Sequence, residues 1–80
     1  SYIIKIKPDY VKIDGSIIKD IDINKDSYAI ASAIVAFAKD LGIKTIAEYV
    51  HSKEIFNVCK EIGIDQFQGF YLGIPSKKAF

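Results

Sequence analysis

Two charged residues stand where charge is costly. Lys12 lies inside the apolar run Tyr10-Val11-Lys12-Ile13, and Glu48 ends the run Ile43-Lys44-Thr45-Ile46-Ala47. A lysine or glutamate in a strand of Ile, Val and Ala is unfavourable to bury unless it is paired or solvated. In parallel α/β sheets ligands meet the carboxyl ends of the strands, where loops and helix N-termini gather. Lys12 with Asp14, then Glu48, then Gln68 beside Gly69 stand at those ends, where they could meet a ligand. Period-two alternation puts Tyr10, Lys12 and Asp14 on one face, and Ile46 shares a face with Glu48. An ion pair between Lys12 and Glu48, or plain exposure to water, explains the same residues without a site. Gly69 suits either a close approach or a turn.

Three strands are expected to position these residues: 9–14, 43–48 and 64–68. The helix between the first two spans Asp26 to Leu41, with Ile30, Ala33, Ile34, Phe37 and Leu41 on one face and Ala31, Val35 and Ala38 widening the apolar surface. Asp26 is its expected cap, and Gly42 its left-handed stop. A second helix runs from Lys53 to Ile62, capped by Ser52, ended by Gly63, with Ile55, Val58, Cys59 and Ile62 inward. Lys39-Asp40-Leu41-Gly42-Ile43 is echoed 21 residues later by Lys60-Glu61-Ile62-Gly63-Ile64. If that echo sets the strand register, Gln68 aligns with Ala47, and its facing does not follow from parity. Alternating strands and helices imply parallel strands with right-handed crossovers, a βαβαβ fold of the α/β class. Tyr2 to Lys7 reads either as a further strand or as a helix tail broken by Pro8.

Composition narrows the function. The chain has 80 residues, half of them hydrophobic, with a net charge of +1. Disorder is thereby disfavoured, and no basic cluster denser than Lys77-Lys78 offers a footprint for a nucleic-acid polymer. The longest uncharged run, Ser27 to Ala38, is 12 residues, well short of a membrane span of about 20. The start of the chain lacks a signal-peptide pattern, and the single Cys59 cannot form an internal disulfide, which fits a reducing cytoplasm. Cys59 reads as a small core residue and His51 as a loop residue without a second metal ligand nearby. Gly15-Ser16 lacks a phosphate-loop pattern, while Phe67, Phe70 and Tyr71 read as wall residues.

Three ordered motifs, Asp9-Tyr10-Val11-Lys12-Ile13-Asp14, Thr45-Ile46-Ala47-Glu48-Tyr49-Val50-His51 and Gln68-Gly69-Phe70-Tyr71 with Pro75 beyond, resemble the last three strand motifs of EAL-domain cyclic di-GMP phosphodiesterases. The resemblance covers nearly the whole chain. It implies the C-terminal part of a TIM-like (β/α)8 barrel, with residues 1–80 forming one incomplete EAL-type domain, and favours the helix tail for Tyr2 to Lys7. The activity implied is hydrolysis of cyclic di-GMP to linear pGpG with two Mg²⁺ or Mn²⁺ ions. Lys12 would then stand beside the attacking water, and Glu48 would belong to the acidic metal site. Gln68 would support substrate binding, with Asp14 in a supporting role. Carboxylates hold such ions, while a lysine adds positive charge without displacing them.

The family usually has Gly and Glu where this chain has Tyr49 and His51. The Glu-Ala-Leu motif, the middle-strand ligands and the paired aspartates have no counterpart among the 80 residues. The chain alone is therefore expected to be inactive, and an open sheet with exposed edges is expected to self-associate as a homo-oligomer. The other reading is a degenerate EAL-type module that binds cyclic di-GMP or a protein partner without cleaving it.

Overall fold

The computed structural model describes residues 9–69; Tyr2 to Pro8 and Phe70 to Pro75 lie outside the described residues. Three short strands, β1 (Tyr10–Ile13), β2 (Lys44–Ala47) and β3 (Gln66–Phe67), pair in the order β1-β2-β3, both pairs parallel. Between them come α1 (Gly15–Ile18), α2 (Lys25–Leu41) and α3 (Lys53–Ile62). This is the expected βαβαβ order with one further short helix, α1, after β1, and with strands shorter than the apolar runs suggest.

Both helix stops work as expected. Gly42 (φ 72°) and Gly63 (φ 103°) adopt the left-handed conformation, each donating its amide to two carbonyls of the last turn. Ile43 and Ile64, the next residues, donate to Ala38 O and Cys59 O and are buried.

The start of α2 differs from expectation. Asn24, not Asp26, is the cap, its side-chain oxygen accepting from the amides of Asp26 and Ser27. Asp20 decides this: its carboxylate accepts from the Asn24 amide group at 3.1 Å and from the Ser27 hydroxyl at 3.2 Å, fixing the Asn24 side chain in capping position. Its inward face also differs, because Ser27, Ala31, Val35 and Ala38 are buried while Ile30, Phe37 and Leu41 are exposed. Small side chains let the helix lie close to the sheet, which selects the Ala31 and Val35 stripe over the bulkier one. In α3 the expectation holds: Ser52 caps the Ile55 amide, Ile55 and Cys59 are buried, and Val58 and Ile62 pack against the core.

The core joins Ile13, Ile18, Ile21, Ala31, Val35, Ala47, Val50, Ile55, Cys59 and Ile64 on the helix-covered side of the sheet. Phe67 packs there too, edge-on to Phe56 with centroids 4.9 Å apart, the wall role foreseen for it. Cys59 is fully buried, and its desolvation pushes the thiol up to about 11. At the amino end of the sheet Thr45 and Asp65 form a reciprocal clip. The Asp65 carboxylate accepts from the Thr45 amide at 2.8 Å and hydroxyl at 3.2 Å, and the Asp65 amide donates back to the Thr45 hydroxyl. Among the described residues no helix is long and apolar enough to cross a membrane.

Candidate functional site

The strand register assigns the faces. Lys12 pairs with Ile46 and Ile13 with Ala47, while Ile46 pairs with Gln66 and Ala47 with Phe67. Paired residues of neighbouring strands share a face, so Ile13, Ala47 and Phe67 turn toward the helices while Lys12, Ile46 and Gln66 turn away. One step further along this register sets Asp14, Glu48 and Gln68 level with one another. The β2 to β3 offset is 20 residues, not the 21 of the sequence echo, which corrects the placement of Gln68 beside Ala47. The connection from Gly63 to Gln66 is one residue shorter than the one from Gly42 to Ile46, and the Thr45–Asp65 clip lies in it.

Lys12 and Glu48 come together on the face turned away from the helices, with Lys12 Nζ 3.9 Å from Glu48 Oε2. Both side chains remain in contact with water, 61% and 33% exposed. At that distance and exposure the pair contributes about 0–1 kcal/mol to stability. Pairing together with contact with water keeps both charges at the strand ends at little cost.

Asp14 takes a different part. Its carboxylate accepts from the Ser16 amide at 2.8 Å and caps α1, a short helix that the sequence reading does not foresee. Hydrogen bonding from Ser16, side chain first and then backbone, holds this carboxyl below its ordinary value. Gln68 is placed by its backbone: its amide donates to Ala47 O at 2.8 Å and its carbonyl accepts from the Val50 amide at 2.9 Å.

The turn after β2 is held from both sides. The Glu48 amide donates to Ile13 O at 3.1 Å, toward β1, while Val50 is tied to Gln68, beyond β3. Tyr49 lies between these anchors with φ 66°, the only positive φ at a non-glycine residue among those described. Gly69 explains part of the constraint, since a Cβ there would collide with the Val50 backbone. Of the two explanations for Gly69, close backbone approach is the one observed. The Tyr49 ring tilts against the His51 ring with centroids 4.7 Å apart, and His51 Nε2 lies 3.1 Å from Lys19 O. The sequence signal for this turn was the family's usual glycine at position 49, a residue type that accepts positive φ freely.

Comparison with known proteins gives this geometry a family. A profile of the EAL domain matches residues 1–75. The chain belongs to the EAL domain family. It is 38% identical over 78 residues to the cyclic di-GMP phosphodiesterase PdeB of Shewanella oneidensis, covering 98% of this chain and 9% of that protein. It is 41% identical over 70 residues to the cyclic di-GMP phosphodiesterase PdeA of Borreliella burgdorferi, covering 88% and 10%. A manganese and cyclic di-GMP complex of Klebsiella pneumoniae BlrP1 superposes with a TM-score of 0.80 at 34% identity, covering 88% of this chain and 18% of that one. The chain thus spans about a tenth of the curated relatives it matches. Its three parallel strands are part of the EAL domain's TIM-like barrel fold.

Glu48 offers the hard oxygen chemistry that divalent cations prefer. Among the described residues no three His, Cys, Asp or Glu side chains gather to hold a metal ion. Glu48 fits one ligand of such a set, and the described part of this EAL domain does not contain the set.

Proposed function

We propose that this chain supplies part of the active site of a cyclic di-GMP phosphodiesterase, a hydrolase that opens the cyclic dinucleotide to linear pGpG. The observation that carries this reading is the Lys12–Glu48 juxtaposition at the carboxyl end of the sheet at 3.9 Å. Relatives covering nearly the whole chain are named for that activity, and the BlrP1 structure holds the dinucleotide with manganese.

In this reading water attacks one phosphorus and the P–O bond to a ribose oxygen breaks, the proton of water ending on the released hydroxyl. Glu48 provides one carboxylate ligand to a divalent cation, Mg²⁺ or Mn²⁺; such a cation, when bound, supplies Lewis-acid activation of water and phosphate. Lys12 stands within reach of Glu48, orients or helps deprotonate the attacking water, and stabilises negative charge building on the phosphoryl oxygens. Gln68, level with Glu48 by register, supports the substrate. Asp14 supports it indirectly, by starting α1 beside the end of β1.

The full-length protein should be incubated with cyclic di-GMP and Mn²⁺ or Mg²⁺, and the products separated by ion-pair chromatography. Linear pGpG is expected, and Lys12→Ala or Glu48→Ala should remove it. Tight binding of an uncleaved dinucleotide would instead make this a binding module. Exposed Ile30 and Phe37 on α2 give this chain apolar surface that other parts of a barrel or a second copy would cover, and light scattering of the full-length protein tests for self-association.

A further inference from the structure

The turn after β2 contains a device that the proposed chemistry does not by itself require. Tyr49 stays in a conformation unfavourable for a side chain by about 1–2 kcal/mol. Such strain persists where the surroundings over-determine the backbone, and it concentrates at functional sites. Here the flanking amides of Glu48 and Val50 are bonded to opposite neighbours, Ile13 and Gln68, and Val50 is fully buried. Gly15 gives Tyr49 its space, since a Cβ added there would stand 3.0 Å from Tyr49 Cβ. The ring then meets His51, and His51 reaches Lys19 O just past α1. A carbonyl can only accept, so Nε2 of His51 carries the proton and donates.

We propose that Tyr49 and His51 are positioning residues, a clasp that ties the turn after β2 to the turn after β1 and so sets the Glu48 carboxylate beside Lys12. The inference deepens the phosphodiesterase reading and rests on it for the role of Glu48. The connection is short: Glu48 precedes Tyr49 directly, and Asp14, Gly15 and Lys19 belong to the segment that follows Lys12. Both ends of the clasp therefore move the two residues that meet across β1 and β2. Neither Tyr49 nor His51 needs to touch substrate. Partners that orient a metal-ligating carboxylate typically change metal affinity by about 10–100-fold when removed.

The test uses the full-length protein with three readouts: amide hydrogen exchange over 14–19 and 48–51, affinity for Mn²⁺ alone by calorimetry, and cyclic di-GMP turnover split into kcat and KM. His51→Ala should raise exchange in both turns and weaken Mn²⁺ binding about 10-fold, with the melting temperature unchanged. His51→Gln, which keeps an N–H donor for Lys19 O, should recover most of the affinity. Tyr49→Gly should weaken Mn²⁺ binding in the same direction, because the ring that steadies His51 is gone. Turnover should fall in kcat with little change in KM. Unchanged Mn²⁺ affinity in His51→Ala, failure of His51→Gln to restore it, or no Mn²⁺ binding by the parent protein would each overturn the clasp. A parent protein that binds Mn²⁺ and shows these losses but leaves cyclic di-GMP intact would sink the phosphodiesterase reading alone.

Discussion

Lys12 and Glu48 meet diagonally: the register pairs Lys12 with Ile46, yet its ammonium reaches 3.9 Å from the carboxylate two residues further on, just past the end of β2. A lysine side chain is long enough to span that step, and both groups keep their water. The contact therefore adds little to the fold and concentrates opposite charges at the carboxyl end of the sheet.

This separation of roles gives the first prediction. In the full-length protein, Lys12→Met and Glu48→Gln should each change unfolding free energy by no more than about 1 kcal/mol. The same substitutions should lower kcat for cyclic di-GMP by about 100-fold or more, the range for loss of a group acting on a transferred proton or developing charge. Urea unfolding and initial rates on the same preparations check both halves. A large loss of stability would make the pair structural.

Gly69 should be intolerant of any side chain. A Cβ there runs into the backbone of Val50, which cannot yield because Val50 is fully buried and hydrogen-bonded to Gln68. Overpacking against backbone costs about 1–3 kcal/mol or more. Gly69→Ala should therefore lower the urea midpoint by a corresponding amount, while Gly15→Ala, facing only the Tyr49 side chain, should be milder.

Much of this arrangement is legible in the residues. Gly42 and Gly63 as stops, Ser52 as a cap, the three parallel strands and the convergence of Lys12 with Glu48 follow from local chemistry and period. What escapes does so because it depends on particular side-chain and packing contacts that propensity and period do not fix. Asn24 displaces Asp26 as cap through Asp20, and the buried stripe of α2 is chosen by how closely the sheet approaches. The position of Gln68 turns on one residue of register, set by the clip between Thr45 and Asp65, 20 residues apart. Tyr49 departs from the family pattern, but its strain is visible only once its neighbours are seen to be tied.

That clip should make stability depend on pH in the acid range. The Thr45 backbone amide, more than the Thr45 hydroxyl and the nearby Lys44 and Lys39, holds the Asp65 carboxyl below its ordinary value. A depressed carboxyl stabilises the fold above its unfolded value of about 4 and loses that contribution as pH falls through the folded value. Stability should thus decline below about pH 4, and Asp65→Asn should flatten the decline. Urea midpoints from pH 6 to pH 2 measure it; equal slopes for the two proteins would remove Asp65 as a source.

Cys59 should act in the opposite range. It is fully buried, and burial pushes its thiol up to about 11, so the folded state keeps the proton after the unfolded chain has lost it. A raised thiol favours the fold least at high pH. Its effect is absent below about pH 8, and stability then falls as pH climbs from the ordinary thiol value toward 11, by about 1.4 kcal/mol per unit at most. Cys59→Ala leaves a small cavity at neutral pH and should be the less stable protein there. Because it cannot ionise, the gap between the two should narrow as pH rises from 8 to 10.5. Lysine and tyrosine titrations are common to both and cancel in the difference. Disulfide-exchange reagents should label Cys59 of the full-length protein only as fast as the chain opens around α3; rapid labelling at neutral pH would mean that this face of the helix is not packed as seen.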